Sequence, residues 1–130
     1  MLVVLDTNVL VSAFWSRNNN PAKIIELVQN GIITTCYDNR IIKEYKEVLL
    51  RPKFGFEIWE VNSLLSQIIH DGLSVVAKFI DMPFIDEADK KFYEVATQCN
   101  ANLITGNIKH FPDDSLVITP TEFFKNIKEE

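Results

Sequence analysis

Three acidic residues, Asp6, Glu44 and Asp89, occupy positions where a carboxylate would point toward the interior of the protein. Asp6 directly follows the apolar run 2–5, which is typical of a strand buried on both faces. Glu44 lies at the border of the apolar stripe of a predicted helix. Because a buried carboxylate is costly unless it is paired or bound to a cation, these positions call for a partner.

Asp89 is the most informative of the three. In a helix predicted over residues 86–99, it projects from the apolar face, about 20° from Ala96. Asp86 lies at the flank of that face and can cap the helix. Acidic groups that converge raise one another's pKa unless a cation lies among them. Oxygen ligands without a Cys or His cluster predict Mg²⁺ or Mn²⁺ at such a site.

Each of these residues also has a simpler interpretation. Asp6 could cap the helix that follows it, and Glu44 could form a salt bridge with Arg40 or Lys43. The two histidines are isolated in the sequence. His70 is expected to be structural, and His110 is a candidate for substrate contact.

The segments that must position these residues alternate between strand and helix. Strands are predicted at 2–5, 32–36, 102–105 and 116–118, with a short one at 75–76. Helices are predicted at 9–14, from an Asn20 cap to 31, at 38–50, 57–70 and 86–99, and from a Thr119 cap onward. This alternation predicts an α/β fold with a parallel sheet covered on both faces. Ligands bind at the carboxyl ends of such strands, which brings Asp6 and the run Thr105-Gly106-Asn107 to one edge.

Composition favours an ordinary globular protein. The 130 residues are 47% apolar and 24% charged, which predicts a single domain over 1–130. The net charge of -5 means that nucleic acid would have to be held locally, by a basic rim drawn from Arg40, Lys43, Lys46, Arg51 and Lys53, or from Lys90, Lys91 and Lys109. The start of the chain does not resemble a signal peptide, and Cys36 and Cys99 read as free thiols. Together these features predict a cytoplasmic protein.

Four segments, in order along the chain, resemble the motifs of PIN-domain nucleases. They are Leu5–Ala13, Glu44–Leu49 followed by Arg51–Phe54, Asp86–Ala96, and Leu103–Asn107. The resemblance covers nearly the whole chain and is greatest to small prokaryotic, VapC-like toxins of toxin–antitoxin pairs. It implies a three-layer α/β/α fold and a metal-dependent ribonuclease that is often dimeric and inhibited by a cognate antitoxin.

The same resemblance implies roles for individual residues. Asp6, Glu44 and Asp89 match the acidic catalytic and metal-binding positions, and Asn8, Ser12 and Thr105 match polar positions that line the site and would contact substrate. The chain departs from the family at Asn107, where many relatives have an aspartate. Asparagine keeps an oxygen ligand but loses a charge, which weakens the expectation of a second metal ion.

Two other functions fit parts of the pattern. A phosphatase could use Asp6 as nucleophile, but such enzymes usually place an aspartate two residues later, where this chain has Asn8. A binding module could keep the fold without catalysis, and Asn107 makes that alternative possible. Nothing in the sequence matches a phosphate-binding loop or a dinucleotide-binding turn.

Overall fold

A five-stranded sheet forms the centre of the computed structural model, which describes residues 1–129. The strands are β1 (Leu2–Leu5), β2 (Thr34–Tyr37), β3 (Leu73–Ser74), β4 (Asn102–Ile104) and β5 (Val117–Ile118). They lie in the order β3-β2-β1-β4-β5, and every neighbouring pair is parallel. The predicted α/β class with a central parallel sheet is therefore confirmed.

Helices flank this sheet. They are α1 (Thr7–Trp15), α2 (Asn20–Gln29), α3 (Asn39–Leu49), α4 (Ile58–Asp71), α5 (Lys90–Cys99) and α6 (Pro120–Glu129), with short 3₁₀ turns at Pro52–Phe54, Glu87–Asp89 and Ile108–His110. Asp38 caps α3 as predicted, because its side chain accepts a hydrogen bond from the Ile41 N–H at 3.1 Å. Thr119 and Glu122 form the predicted reciprocal cap of α6.

The topology places the ends of two distant strands side by side. β1 pairs with β2 on one edge and with β4 on the other, so the strand order reverses at β1. The Asp6 N–H donates to the Ile104 carbonyl at 3.0 Å, which extends the β1–β4 ladder by one step. Asp6 and Thr105 therefore meet at the carboxyl edge of the sheet, as the sequence predicts. A strand reversal of this kind is where open α/β sheets bind ligands.

The core confirms the interpretation of β1 as a strand buried on both faces. Val3, Val4 and Leu5 are fully buried, and so are Leu103 and Ile104 of the adjacent β4. Burial of this apolar surface supplies the main driving force for folding, and it fixes the strand ends that carry the polar residues.

Several element bounds differ from the sequence prediction. The cap of α2 is Asn19 rather than Asn20, because the Asn19 side chain accepts from the Ala22 N–H at 2.9 Å. β2 begins at Thr34, since Ile32 is 61% exposed in the turn that precedes it. The short strand predicted at 75–76 lies at 73–74, where the register pairs Leu73 with Cys36.

The stretch 75–86 has no regular secondary structure and is anchored by a buried acid. Glu94 of α5 is 3% exposed and accepts a hydrogen bond from the Ile80 N–H at 2.9 Å. Its other oxygen accepts from the Arg40 guanidinium at 2.9 Å. Arg40 also pairs with Asp38 at 2.7 Å, so one arginine joins the start of α3 to α5.

Replacing Glu94 with alanine is expected to destabilise the protein by about 2 kcal/mol, because a buried N–H and part of a guanidinium lose their acceptor. Urea unfolding followed by circular dichroism measures the effect. Gln98→Ala is the matched control, since Gln98 makes only a 3.4 Å hydrogen bond to the Lys78 N–H. Equal unfolding midpoints for the two variants would contradict the anchoring role of Glu94.

Within residues 1–129, none of the helices has both the length and the apolar character needed to cross a membrane.

Candidate active site at the carboxyl edge of the sheet

Asp6 is the most deeply buried of the predicted acidic residues, at 6% exposure. It ends β1 and occupies the cap position of α1, but its side chain makes no capping hydrogen bond. Instead, its Oδ2 accepts from the hydroxyl of Thr105 at 2.8 Å. Capping therefore does not account for this carboxylate, and Thr105 holds it in a fixed orientation.

Glu44 projects from α3 toward the same edge. One of its oxygens accepts from the Thr7 hydroxyl, and the other accepts from the Lys91 ammonium at 2.7 Å. The alternative salt bridge to Arg40 or Lys43 is not formed, since Arg40 pairs with Asp38 and Glu94. The partner of Glu44 comes from α5, which is distant in sequence and adjacent in space.

Asp89 lies in a 3₁₀ turn just before α5, not on the face of a continuous helix as predicted. Asp86 caps that turn by accepting from the Ala88 N–H at 3.0 Å, and α5 follows directly from Lys90. The Asp89 side chain is nonetheless mostly buried, and its Oδ2 lies 3.2 Å from Nδ1 of His110. The other ring nitrogen of His110, Nε2, is 3.0 Å from Nδ2 of Asn107. The imidazole of His110 therefore lies between Asp89 and Asn107 and contacts both.

Of the three polar residues assigned by resemblance, Thr105 and Asn8 hold the loop after β4, and Ser12 makes no hydrogen bond to it within the described residues. Thr105 is fully buried and also accepts from the Asn107 N–H at 3.0 Å. Asn8 accepts from the Gly106 N–H at 3.1 Å, which ties α1 to the loop after β4. Ser12 lies one turn further along α1, where its carbonyl serves Ser16 and Asn19, and none of its hydrogen bonds reaches the acidic residues.

The electrostatics show that the acidic groups influence one another. Burial raises the pKa of Asp6 from 3.8 to about 6, and the negative charges of Asp89 and Glu44 add to the increase. Burial and the charge of Asp86 raise the pKa of Asp89, against the opposing effect of His110. Carboxylates in this environment are disfavoured as free anions, and a cation among them would stabilise the charged forms.

Two supporting residues were missed by the sequence reasoning. Tyr45 is buried on α3, and its hydroxyl donates to the Leu5 carbonyl, which fixes the helix that carries Glu44 against the end of β1. Burial and nearby carboxylates raise its pKa well above 10, so this hydroxyl stays a donor. Lys91 was offered only as part of a basic rim, whereas its side chain is 12% exposed and pairs with Glu44. The one signal for Tyr45 was its place in the apolar stripe of α3, since a buried tyrosine hydroxyl needs a partner.

Among residues 1–129, no three His, Cys, Asp or Glu side chains are arranged so that they could hold one metal ion as they stand. Lys91 and His110 take positions beside two of the three acids. Positive groups of the chain itself thus supply part of the charge balance at this edge.

Residues 2–109 match the PIN domain family. The chain belongs to this family. PIN domains are generally nucleases, and the matched range contains Asp6, Glu44, Asp89 and Asn107. The resemblance inferred from four sequence motifs is therefore confirmed at the level of the family.

Two similar proteins place this PIN domain among known sequences and structures. An uncharacterized protein of Methanocaldococcus jannaschii is 34% identical over 110 residues, covering 81% of this chain and 70% of the relative. The crystal structure of VapBC2 from Rickettsia felis bound to a DNA fragment from their promoter contains a chain with a TM-score of 0.58 and 22% identity. That match covers 92% of this chain and 97% of the other, and it shows a common fold.

Proposed function

We propose that this PIN domain is a divalent-metal-dependent ribonuclease that hydrolyses RNA phosphodiester bonds, and that it is the toxin of a cytoplasmic toxin–antitoxin pair. The observation that carries the proposal is the placement of Asp6, Glu44 and Asp89 at one sheet edge, close enough for the charges of Glu44 and Asp89 to raise the pKa of Asp6. A cognate antitoxin and a second copy of the chain are the partners that we expect.

The donor set fits a hard divalent cation. Asp6, Glu44 and Asp89 offer carboxylate oxygens and Asn107 offers an amide oxygen, the ligand types preferred by Mg²⁺ and Mn²⁺. Asp6 makes the strongest case, because it is buried and its one side-chain hydrogen bond comes from a neutral hydroxyl. To bind the ion, Glu44 would have to give up its ion pair with Lys91. Asp89 would likewise have to give up its contact with His110.

A divalent cation supplies an acidified water as nucleophile and positive charge against the leaving oxygen. The chain supplies the orientation of its ligands. The Thr105 hydroxyl holds the Asp6 carboxylate, the Thr7 hydroxyl holds Glu44, and Tyr45 fixes α3 against β1. Such supporting hydrogen bonds are worth about 10–100-fold in metal affinity or activity at known metal sites.

The ion pair between Lys91 and Glu44 favours a second function, that of a partner-binding module without catalysis. In that case Lys91 would remain the permanent partner of Glu44, and Asn107 would reflect a site that no longer needs charge. Binding of Mn²⁺ separates the two proposals. A module of this kind would bind Mn²⁺ no better than its Asp6→Asn variant does.

Replacing Asp89 with asparagine is expected to lower RNA cleavage about a hundredfold or more, because the site loses one of its three negative ligands. The measurement is cleavage of a mixed RNA pool with Mg²⁺, Mn²⁺ or EDTA. Asp86→Asn is the matched control, since Asp86 is exposed, caps the turn and acts on Asp89 only through its charge, with no hydrogen bond between the two side chains. It should retain activity within a few-fold.

Equal loss in the Asp86 and Asp89 variants would argue against a ligand role for Asp89. If the wild type is silent with every metal, Asn107→Asp is the next variant to test. Activity gained on that change would identify a site weakened at its fourth position, whereas continued silence would favour the binding module.

A further inference from the structure

A cluster of aromatic rings lies where the end of α1 meets the turn after α3. Phe54 and Phe56 are stacked with centroids 5.2 Å apart and planes within 6°. Trp15 meets both rings edge-on, at 5.5 and 5.7 Å, and Phe56 also stacks with Phe14 at 5.2 Å. Trp15 is 64% exposed, so a large indole surface remains open to solvent in the described structure.

Exposed cations flank Glu44 on α3 and continue along the chain to this cluster. Lys43, Lys46, Arg51 and Lys53 are exposed, and none of them forms an ion pair within residues 1–129. The Lys53 ammonium lies over the ring of Phe54, 5.1 Å from its centroid. Residues 43–53 also carry two acids, Glu44 and Glu47, so the segment is positive overall in a chain of net charge -5.

The cluster and the acidic residues are joined by two rigid elements. α1 starts next to Asp6 and ends at Trp15, nine residues that span about 14 Å. α3 carries Glu44 in its middle and is followed at once by the 3₁₀ turn Pro52–Phe54. A strand of nucleic acid whose phosphate lies at Asp6 could therefore reach Trp15 within a few nucleotides.

We propose that Trp15, Phe54 and Phe56, with Lys43, Lys46, Arg51 and Lys53 beside them, form a binding site for single-stranded RNA. Bases a few nucleotides from the scissile bond stack on the exposed indole, and the cations hold the intervening phosphates. This inference rests on the proposed ribonuclease function and adds to it a base-stacking site outside the acidic residues.

Charge favours RNA over a protein as the occupant. Sites for single-stranded nucleic acid combine a positive path for the backbone with aromatic side chains for the bases. The centre of a protein–protein interface is instead depleted of charged residues, lysine in particular. Duplex RNA would not use the rings, because its bases are already stacked on each other and unavailable to side chains.

The test is binding of a fluorescein-labelled 20-nucleotide single strand, measured by anisotropy in EDTA so that no cleavage intervenes. Trp15→Ala is expected to weaken binding about tenfold, because stacking of one base contributes on the order of 1–3 kcal/mol. The matched control is Trp59→Ala, since Trp59 on α4 is 68% exposed and takes part in none of the ring contacts of the cluster. Its affinity should stay within twofold of wild type.

Charge and strandedness give two further readouts. Changing both Arg51 and Lys53 to glutamine is expected to reduce the slope of log affinity against log salt by about 1.4, at about 0.7 per phosphate contact on a single strand. The same sequence as a duplex should bind at least tenfold more weakly than the single strand. Circular dichroism of each variant establishes that it is folded.

The possible outcomes are distinguishable from those of the ribonuclease proposal. Equal affinities of the Trp15 and Trp59 variants, or equal binding of duplex and single strand, would overturn the site. A dimer that dissociates on Trp15→Ala, with RNA binding unchanged, would assign the cluster to self-association and would also overturn it. Trp15-dependent binding without cleavage in any metal would support the site and contradict the ribonuclease.

Discussion

Asp6→Asn is expected to abolish RNA cleavage and, at the same time, to make the metal-free protein more stable at pH 7. Asp6 is the most deeply buried of the three proposed metal ligands, so its loss should lower cleavage by at least two to three orders of magnitude. Asparagine has nearly the same shape, and its oxygen can still accept from Thr105. The folded protein no longer has to bury a negative charge.

The sign of the pH dependence follows from the direction of the shift. Folding raises the pKa of Asp6 from 3.8 to about 6, so the folded state favours the protonated acid. The contribution of protonated Asp6 to the free energy of unfolding is fully present below pH 4 and is lost as the pH rises through about 6. Two pKa units correspond to about 3 kcal/mol, which is the advantage expected for the asparagine variant at pH 7.

Urea unfolding in EDTA at pH 4, 5, 6 and 7 measures this difference, with wild type and Asp6→Asn side by side. The other titrating groups contribute to the free energy of unfolding of both proteins, so their effects largely cancel in the difference between the two. A stability difference that stays constant from pH 4 to pH 7 would show that Asp6 is not the acid whose charge is disfavoured. A gain of stability together with a loss of cleavage is the signature of a residue kept for function.

Gly72→Ala is expected to cost about 3 kcal/mol or more, for a purely steric reason. Gly72 joins α4 to β3 in an ordinary extended conformation, so its backbone angles would suit alanine. A Cβ at this position would lie 2.4 Å from the Ile68 carbonyl oxygen and 2.7 Å from that of Thr35. Both are backbone atoms of packed elements, and relieving the overlap requires moving α4 away from β2.

Gly31→Ala is the control for this prediction. Gly31 has a φ of +73° and no atom within 4 Å of the added Cβ, so the cost is backbone strain of about 1 kcal/mol. Thermal unfolding of both variants compares the two effects directly. A larger loss in Gly31→Ala than in Gly72→Ala would mean that the α4–β3 junction yields easily and that its close packing contributes little.

The parts of this molecule that sequence predicts well are governed by local chemistry. The run Val3-Val4-Leu5 predicted a buried strand and Asp38 predicted a helix cap, as the structure has them. Thr119 with Glu122 predicted a reciprocal cap. Each of these signals acts within a few residues. Helical periodicity placed Glu44 at the border of the α3 stripe, and its partial burial agrees with that placement.

The parts that were missed depend on contacts between distant segments. Nothing local in α3 indicates that Lys91 is the partner of Glu44, or that Tyr45 bonds the end of β1. The region 73–84 gave no clear signal beyond the short strand predicted at 75–76, because its backbone depends partly on Glu94, which accepts from the Ile80 N–H. The helix predicted from Asp86 begins with a 3₁₀ turn and continues as α5 from Lys90, so Asp89 lies in that first turn rather than in the α-helix.

The pairing of β1 with β4 sets the moment during synthesis at which the site can exist. Asp6 emerges from the ribosome 99 residues before Thr105, whose hydroxyl holds its carboxylate. At a translation rate of about 5–20 residues per second, several seconds separate the synthesis of Asp6 from that of Thr105. A growing chain thus carries the pieces of a potential RNA-cutting site while it is still attached to its own message. Only a polypeptide that extends past Thr105 can assemble them, so the order of synthesis delays the site.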